Sequence, residues 1–372
     1  MKRAPVFLAL LASISACYGN PFDANPSWAT ADVAVEDAGD ERIDEASAPF
    51  DGGAPIITCP GTDGAAPGAG TPTGAFLAAG FALHSMTSPT GAAWTDHAAP
   101  PSGKDAGAPP NVVQMASHSG LIVAAAETGL YTSTDGANWT PRPVLDVSQY
   151  VAYDNGYTAV AYGDNTFAAA VSAKFNDLVF YRSPDGVKWS LATHIMGHCC
   201  VPIRTIAYGN GRFVAAGDEK RTLVSTNGVQ WTDEKFGASD AHFSYLGLVY
   251  GKGTWVAVGK PSILATSPDG VQWTDRGSPA IVGNFRSVAF DGERFVTCAE
   301  WACFSSPDGV QWARSPGADT DPRPTTSILY ADGLFVGLGV PMRVITSTDG
   351  FTWHPAYCGA PPELVSLVHV SP

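Results

Sequence analysis

A short phrase, Ser-x-Asp-Gly-x-x-Trp, recurs along this chain of 372 residues and limits its possible folds more than any other feature. A degenerate first copy ends at Trp94 and the seventh ends at Trp353, so the six steps average about 43 residues. That period is typical of a four-stranded propeller blade, and the turn chemistry excludes helical repeats of similar length. The complete copies place their Asp or Asn at Asp135, Asp185, Asn227, Asp269, Asp308 and Asp349, and their tryptophan at Trp139, Trp189, Trp231, Trp273, Trp312 and Trp353.

Each copy of the phrase predicts a tight turn between two strands. The Asp or Asn side chain can accept hydrogen bonds from the backbone N–H groups that follow it, and glycine adopts positive φ without a steric clash. The tryptophan is expected to fold back over the turn, where it would bury roughly 150–250 Å². The repetition of these residues is therefore interpreted as structural.

A pair of strands joined by a tight, Gly-containing turn precedes the phrase. In the repeat that ends at Trp231, the sequence predicts strand A at residues 205–208 and strand B at residues 212–217. Strand C is predicted at residues 222–225 and strand D at residues 229–234, so the phrase forms the turn from C to D.

The two ends of the repeat array complement each other. Residues 74–80 predict a B strand with no A strand before it, and residues 363–370 predict an A strand with no B strand after it. Pairing these two strands closes the ring and removes its open edges. We therefore predict an all-β fold for residues 75–372, a seven-bladed propeller of four-stranded antiparallel blades closed by the C-terminal strand.

The phrase resembles the Asp-box, or BNR, repeat of sialidase-type propellers, and the resemblance extends over all seven copies. The usual Asp-box reads Ser-x-Asp-x-Gly-x-Thr-Trp, whereas each copy here is one residue shorter. The resemblance implies the fold of the sialidase-like superfamily. It does not imply sialidase activity, because Asp-boxes lie away from the sialidase active site and the Arg-Ile-Pro signature of that family is absent from this sequence.

The first residues have the pattern of an export signal. Lys2 and Arg3 precede an apolar run at residues 6–11, which is too short to span a bilayer. Residues 14–17 resemble a bacterial lipobox, which implies that residues 1–16 are removed and that Cys17 is lipidated. In such lipoproteins an Asp after the cysteine marks inner-membrane retention, so Tyr18 favours the outer membrane or cell surface. The alternative is an ordinary signal peptide with an incidental cysteine.

Residues 17–74 are expected to form a flexible tether. From residue 18 to residue 74 the chain has ten Asp and Glu residues against the single Arg42, and it ends in a run rich in Gly, Pro and Ala. Such a segment buries too little apolar surface to offset the cost of ordering, although an acidic ligand-binding tail is an alternative. The formal net charge of the whole chain, −14, argues against nucleic acid as a partner.

Six cysteines besides Cys17 predict disulfides in an exported protein. Cys298 and Cys303 flank a four-residue connection between strands B and C, and we predict that they pair. Cys59 and Cys358 would join the two ends of the ring.

The remaining cysteines, Cys199 and Cys200, would form a vicinal disulfide, and other pairings among the last four cysteines remain open. Together with His194 and His198 they are the one cluster of soft-metal ligands in the sequence, suited to Zn or Cu. We favour a disulfide-pinned loop, and we expect neither a metal nor a cofactor.

Strand order divides the propeller surface into two ends. The A–B and C–D turns share the end that holds the repeated segments, whereas the B–C and D–A loops share the end that varies in sequence, where ligand binding is expected. Arg204 and Arg286 take equivalent positions near the start of strand A, so both are predicted to approach the central channel. The candidate ligand-binding residues are Arg204, Arg286, Arg343, Trp301, Glu300, Arg221 and Lys260, with Glu127, Lys174, Asp177, Glu219 and Lys220 also at this end. For each charged residue, a solvated surface charge is the alternative.

These features favour a monomeric, non-catalytic binding or scaffold protein, anchored to a membrane by its lipid, with an unidentified protein or glycan ligand. The alternative is an exported sialidase-like glycoside hydrolase or lyase, in which Arg204, Arg286 and Arg343 would bind a substrate carboxylate. Such catalysis would also require two carboxylates about 5–9.5 Å apart at the channel mouth. Neither a Gly-x-Ser-x-Gly elbow nor a His-Glu-x-x-His motif is present.

Overall fold

The computed structural model describes residues 74–97, 109–144, 156–172, 177–195, 202–234, 243–278, 280–314, 324–339, 343–357 and 364–371. Several sequence predictions concern residues outside these ranges. They are the signal peptide, lipidation of Cys17, the tether up to residue 73, and the pairing of Cys59, Cys199, Cys200 and Cys358.

The described residues form seven four-stranded antiparallel sheets, which confirms the predicted architecture. The first three blades, named from strand A to strand D, are β28 (Leu364–Val370), β1 (Ala75–Gly80), β2 (Ser85–Ser88) and β3 (Thr95–His97); β4 (Val112–His118), β5 (Leu121–Ala126), β6 (Gly129–Ser133) and β7 (Thr140–Arg142); and β8 (Tyr157–Gly163), β9 (Thr166–Ser172), β10 (Leu178–Ser183) and β11 (Ser190–Ile195). A short 3₁₀ turn, Phe81–Leu83, follows β1.

The other four blades continue in chain order. They are β12 (Ile203–Gly209), β13 (Arg212–Gly217), β14 (Thr222–Ser225) and β15 (Thr232–Glu234); β16 (Ser244–Gly251), β17 (Thr254–Lys260), β18 (Ile263–Ser267) and β19 (Thr274–Asp275); β20 (Val288–Phe290), β21 (Phe295–Cys298), β22 (Cys303–Ser306) and β23 (Ala313–Arg314); and β24 (Pro324–Ala331), β25 (Leu334–Gly339), β26 (Arg343–Ser347) and β27 (His354–Tyr357).

The C-terminal strand closes the ring as predicted. β28 pairs antiparallel with β1, with Leu77 opposite Val368 and Phe76 opposite His369. The seven A strands contact one another in the cyclic order β28, β4, β8, β12, β16, β20 and β24, and β24 contacts β28 again. The A strands therefore surround the axis, and the first blade gains the strand that its own sequence lacks.

The predicted start of strand D in the fourth blade was wrong. That strand was expected from residue 229, but β15 begins at Thr232. The backbone N–H groups of Val229 and Gln230 donate to Asn227 Oδ1 at 2.9 and 3.0 Å, so both residues belong to the turn. The hydrogen-bonding reach of the Asn side chain extends the turn by three residues.

Side-chain hydrogen bonds fix the repeated turns, as the second blade illustrates. Asp135 Oδ1 accepts from the N–H groups of Ala137 and Asn138 at 2.9 and 2.8 Å. Ser133 Oγ donates to the same carboxylate at 2.9 Å and accepts from Gly136 N–H at 2.8 Å. The Asp135 carboxylate and the Ser133 hydroxyl thus both have partners inside the turn. In four other copies the indole N–H donates to the carbonyl oxygen of the turn glycine at 2.8–3.0 Å, from Trp94, Trp189, Trp273 and Trp312.

The glycine of each turn also forms a contact between blades. Gly136 has a φ of +72°, and a Cβ there would lie 2.1 Å from Leu77 Cδ1 and 2.8 Å from Thr87 Cγ2, both in the preceding blade. The phrase therefore requires glycine for two reasons, the positive φ and the close packing of neighbouring blades. The same relation to the preceding blade holds at Gly91, Gly186, Gly228, Gly270, Gly309 and Gly350.

The tryptophans of the phrase add to this packing. Trp231 is buried and stacks on Phe180 of the preceding blade, with 4.1 Å between ring centroids. Alanine and valine on the B strands fill the remaining space, as in β13, where residues 213–217 are all buried. The core thus consists of seven layers between blades rather than one central cluster.

Candidate functional site

The two ends of the propeller are built from different connections. The repeat face consists of the A–B turns at residues 119–120, 164–165, 210–211, 252–253, 291–294 and 332–333, and of the C–D turns that hold the phrase. The variable face consists of the B–C loops at residues 81–84, 127–128, 218–221, 261–262 and 299–302, and of the described D–A segments at residues 109–111, 143–144, 156, 202, 243, 276–278 and 280–287. Gly74 N–H donates to Val370 O at 2.9 Å, so the chain enters the first blade at the repeat face.

A ring of irregular residues surrounds the axis at the variable face. Six of the seven A strands have a register shift near their first residue, where one residue, or two in β24, lacks a partner on strand B. Such bulges redirect side chains at the rims of β structures. None of the ring residues is fully buried. We call this set the bulge ring; its members, including the equivalent residue before β20, are Val113, Thr158, Arg204, Leu246, Arg286, Thr326 and Val365.

The axis is bridged just beneath this ring. The side-chain amide of Gln114, on β4, donates to Ile206 O at 3.2 Å and accepts from Ile206 N–H at 3.3 Å, on β12. The second and fourth blades are not neighbours, so this side chain spans the space between their A strands. Ser366 Oγ likewise accepts from Met115 N–H at 3.0 Å. Side chains thus satisfy exposed backbone edges of the A strands, and the bulge ring lies above them.

Two of the predicted ligand-binding arginines are held in ion pairs within the fourth blade. Arg204 donates to Asp218 through Nε at 3.0 Å and through a terminal nitrogen at 2.7 Å. Arg221, which is buried, makes the same two-point contact with Asp233 at 3.1 and 2.5 Å. Such two-point pairs are the strongest geometry for a guanidinium, and they commit both arginines to the protein itself.

The sixth blade has equivalent charges in a different arrangement. Arg286 precedes the Ser-Val-Ala segment of its blade as Arg204 precedes Thr-Ile-Ala, and Glu300 takes the place of Asp218 two residues beyond the last paired residue of strand B. Here Asn284 donates to the Glu300 carboxylate from its backbone N–H and its side chain, both at 3.3 Å. Arg286 is exposed, and among the described residues its guanidinium has no hydrogen bond or ion pair.

The loops around Arg286 are fixed to one another. Gly283 O accepts from Ser262 N–H at 2.8 Å, and Trp301 Nε1 donates to Val282 O at 2.8 Å. The predicted disulfide between Cys298 and Cys303 is confirmed, with 4.0 Å between their Cα atoms, and it closes the base of the loop that carries Glu300 and Trp301. We call this surface the blade 5–6 patch; it comprises Lys260, Val282, Asn284, Arg286, Glu300 and Trp301.

The structure therefore separates the predicted residues. Lys260, Arg286, Glu300 and Trp301 come together, whereas Arg204 and Arg221 belong to ion pairs and Arg343 begins β26, the third strand of the seventh blade. Lys174 lies outside the described residues.

Sequence reasoning missed two residues of the patch. Val282 is 50% exposed, and Asn284 binds Glu300. Both lie on the long segment between β19 and β20, whereas the predicted ligand-binding residues lie mainly on B–C loops. The length of that segment, compared with the short turns on the opposite face, was the available signal.

The carboxylates of several repeated turns have lowered pKa values. Burial raises the pKa of Asp135, but hydrogen bonds from Asn138, Ala137 and Ser133 outweigh it and lower that pKa to about 2. The pKa values of Asp185 and Asp308 are lowered chiefly by backbone N–H donors of Lys188 and Gln311. The turn carboxylates of the repeat face are thus stabilised as anions by their own turns.

A groove of about 490 Å³ on the repeat face is a second concave surface, lined in part by Lys252, Thr266, Arg276 and Asp308. Its basic groups have structural partners: Arg276 Nε donates to Thr266 Oγ1 at 2.9 Å, and Lys252 donates to the carbonyl oxygens of Glu293 and Pro307. Arg142 donates to Thr132 Oγ1 in the same way at 2.6 Å in the second blade. This groove is therefore part of the repeated packing between blades.

Within the part of the chain that the structure describes, no cluster of three or more His, Cys, Asp or Glu side chains is arranged to bind a metal. His194 instead approaches Asp177, with 2.8 Å between Nε2 and Oδ2. No helix among the same residues has the length and apolar character needed to cross a membrane.

Comparison with known proteins supports the fold alone. No protein-family model matches the sequence, and no curated protein does so. Among solved structures, a proposed 6-phosphogluconolactonase from Bacteroides uniformis is 12% identical, with a TM-score of 0.58 over 80% of this chain and 99% of that one. The computationally designed Ika8 protein is 11% identical, with a TM-score of 0.52 over 80% and 91%. YCF48 bound to D1 peptide is 18% identical over 66% and 81%, and its TM-score of 0.49 is too low to support an argument.

Proposed function

We propose that the protein is an exported, lipid-anchored, monomeric binding protein that holds its ligand on the variable face of the propeller without transforming it. The observation that carries this proposal is the contrast between equivalent charges. Arg204 is paired with Asp218, whereas Arg286 is exposed on a patch whose loops are fixed by hydrogen bonds and a disulfide. A rigid surface with an available guanidinium is suited to binding, because little order remains to be imposed when a ligand arrives.

In this proposal Cys17 carries the lipid, and residues 17–74 connect it to the propeller. A diacylglycerol on Cys17, together with further acylation, would give stable membrane attachment at the outer membrane or cell surface. The acidic segment would act as a spacer between lipid and propeller.

The arrangement of acids supports binding over the hydrolase alternative. A glycosidase requires two available carboxylates on either side of one bond, about 5–9.5 Å apart. Around the candidate arginines, Asp218 and Asp233 are paired with Arg204 and Arg221, and Glu300 accepts hydrogen bonds from Asn284. These acids stabilise the protein surface rather than converge on an open site.

A photo-cross-linking residue placed at Val282 tests the proposed surface in the full-length protein in its native cells. Val282 is 50% exposed on the patch, and Gln311, exposed on the repeat face of the sixth blade, is the matched control position. We expect discrete products from position 282 and none from position 311. Products from position 311 alone would contradict the proposal. Turnover in a panel of sialosides and other glycosides that is lost in Arg286→Ala would favour the enzyme alternative.

The anchor is tested separately with Cys17→Ser. We expect the wild-type protein to incorporate radiolabelled palmitate and to remain in the membrane fraction after a high-salt wash. The Cys17→Ser variant should incorporate no label. Palmitate incorporation by that variant would contradict lipidation at Cys17 and leave the binding surface unaffected.

A further inference from the structure

We infer that the blade 5–6 patch recognises a carboxylate side chain of a peptide segment in a partner protein, with Arg286 as the direct ligand and Lys260 as a second cation. The inference rests on the proposed function and gives that surface a ligand class. Four observations support it: the absence of an ion pair at Arg286 among the described residues, the position of Lys260, the apolar neighbours of Arg286, and the contacts of the Trp301 side chain.

The first observation is that Arg286 and Glu300 of the sixth blade are not paired with each other, unlike the equivalent residues of the fourth blade. In the fourth blade, the acid at the end of strand B reaches the arginine of the bulge ring, and Arg204 contacts Asp218 at 2.7 and 3.0 Å. In the sixth blade, Glu300 is engaged by the backbone and side chain of Asn284, and Arg286 stays exposed. A guanidinium presents its donors in a planar fork that matches a carboxylate at two points. The closed pair in the fourth blade shows the geometry that an external carboxylate would complete in the sixth.

Lys260 adds a second positive charge to the surface between the fifth and sixth blades. It lies two residues beyond Val258, which pairs with Leu264, and so it takes the place in the fifth blade that Asp218 takes in the fourth. Lys260 is exposed. The patch therefore combines two cations with one acid, on a chain whose overall net charge is −14. That local reversal favours an anionic group on the ligand.

Apolar side chains lie beside the two cations. The bulge-ring residue of the fifth blade is Leu246, which is partly exposed. Its neighbour Gly247 packs on the backbone of the sixth blade, where a Cβ on Gly247 would lie 2.9 Å from Ser287 Cα and 3.1 Å from Arg286 O. Leu246 therefore lies next to Arg286 along the ring, and Val282 is 50% exposed on the same patch. A ligand with an apolar side chain next to its carboxylate would bury this surface.

The contacts of the Trp301 side chain favour a peptide over an anionic glycan as the ligand. Besides making hydrogen bonds, sugar rings commonly stack on open aromatic side chains of the proteins that bind them. The Arg314 guanidinium lies 5.0 Å from the centroid of the Trp301 ring, and Phe304 contacts that ring in a T-shaped arrangement at 5.5 Å. The indole N–H is also engaged, since it donates to Val282 O. The Trp301 side chain thus supports the loop and offers little stacking surface.

The test measures binding of labelled nonapeptides to the full-length protein by fluorescence anisotropy at physiological ionic strength. The panel consists of peptides with a central Glu flanked by apolar residues, the same peptides with Gln at the centre, and peptides with Glu flanked by Ser. We expect the apolar Glu peptides to bind best. Arg286→Ala should weaken their binding about 10- to 100-fold, and this loss should nearly vanish for the Gln peptides, as in a double-mutant cycle.

Arg204→Gln is the matched control, because it removes the same charge from the equivalent position of the fourth blade. We expect its affinity for the Glu peptides to stay within about twofold of the wild type. Arg286→Lys keeps the charge but removes the two-point contact, so its affinity should lie between those of wild type and Arg286→Ala. Because Arg286 is exposed, both of its variants should keep the wild-type melting temperature.

Three results would overturn the inference: equal binding of Glu and Gln peptides, equal losses in the Arg204 and Arg286 variants, or no binding of any peptide. Arg286-dependent binding of an oligouronate in place of the peptides would assign the site to a glycan. If the peptides fail while position 282 still cross-links in cells, the ligand class is wrong and the proposed function stands. If both fail, the proposed function falls as well.

Discussion

The repeat face and the variable face lie at opposite ends of the same described strands, yet their loops follow opposite rules. On the repeat face nearly the same turn occurs in every blade, and in the second blade each polar atom of Ser133 and Asp135 has a partner. On the variable face equivalent positions differ in both sequence and pairing, as Arg204 and Arg286 do. Repetition therefore marks the residues that hold blades together, and departure from repetition marks the candidate binding surface.

The difference has a physical basis in what each loop touches. A repeat turn packs its glycine on the preceding blade, so a change there affects two blades at once. On the variable face, loop residues such as Ile281 and Phe285 are buried in the core, whereas exposed side chains such as Arg286 can change without disturbing the packing between sheets. Substitutions on the two faces should therefore differ in their effect on the free energy of unfolding.

The largest expected effect comes from removing a tryptophan of the repeated turn. Trp231→Ala deletes a buried ring that stacks on Phe180 at 4.1 Å, and it should lower the free energy of unfolding by about 3–5 kcal/mol. Urea denaturation followed by circular dichroism measures the change. Trp231→Phe, which keeps an aromatic ring, is the control and should lose less. A loss below about 1 kcal/mol for Trp231→Ala would show that the turns do not couple the blades.

A smaller effect separates the two reasons for glycine in the turn. Gly136 and Gly211 have nearly the same φ, +72° and +71°, but a Cβ at Gly136 meets Leu77 at 2.1 Å and a Cβ at Gly211 meets nothing within 4 Å. Gly211→Ala should cost about 1–2 kcal/mol from backbone strain alone. Gly136→Ala should cost about 1–3 kcal/mol more, because Leu77 and Thr87 must move. Equal costs in urea denaturation would show that packing between blades is unimportant at this position.

The repeated phrase predicted the fold because every blade needs the same turn. It could not predict features that occur in a single blade, such as the contact between Asn284 and Glu300. Turn chemistry predicted seven blades, and the unmatched strands at the two ends predicted that β28 pairs with β1. The candidate site was predicted only in part. Arg204 and Arg286 look alike in sequence, and their difference depends on Asn284 reaching Glu300 from a separate segment. The bulges also leave no local signature, because they follow from how each A strand fits around the axis.

The stability that the Asp135 carboxylate contributes to the repeat face should depend on pH. Asp135 has a pKa of about 2 in the folded protein, below its ordinary value of 3.8, so the unfolded chain binds its proton more readily. The stabilisation from this carboxylate is therefore present above about pH 4 and is lost as the pH falls towards 2. Asp135→Asn should unfold with a weaker dependence on pH in that range, since Asn227 shows that an amide can accept the same backbone hydrogen bonds.

Melting temperatures of wild type and Asp135→Asn, measured from neutral pH down to pH 2, test this expectation. Identical pH profiles for wild type and Asp135→Asn would show that the turn carboxylate does not link folding to proton binding.

The smallest expected effect lies on the variable face and concerns stability alone. Arg286→Ala removes an exposed side chain with no partner among the described residues, so the free energy of unfolding should change by no more than about 0.5 kcal/mol. Arg204→Ala breaks a two-point pair whose side chains are 35% and 22% exposed, and it should cost about 0.2–1 kcal/mol. Urea denaturation of the two variants in parallel measures the difference. If Arg286→Ala proves the more destabilising, Arg286 contributes to folding, and its exposure on a rigid patch no longer distinguishes it from the arginines that hold the blades in place.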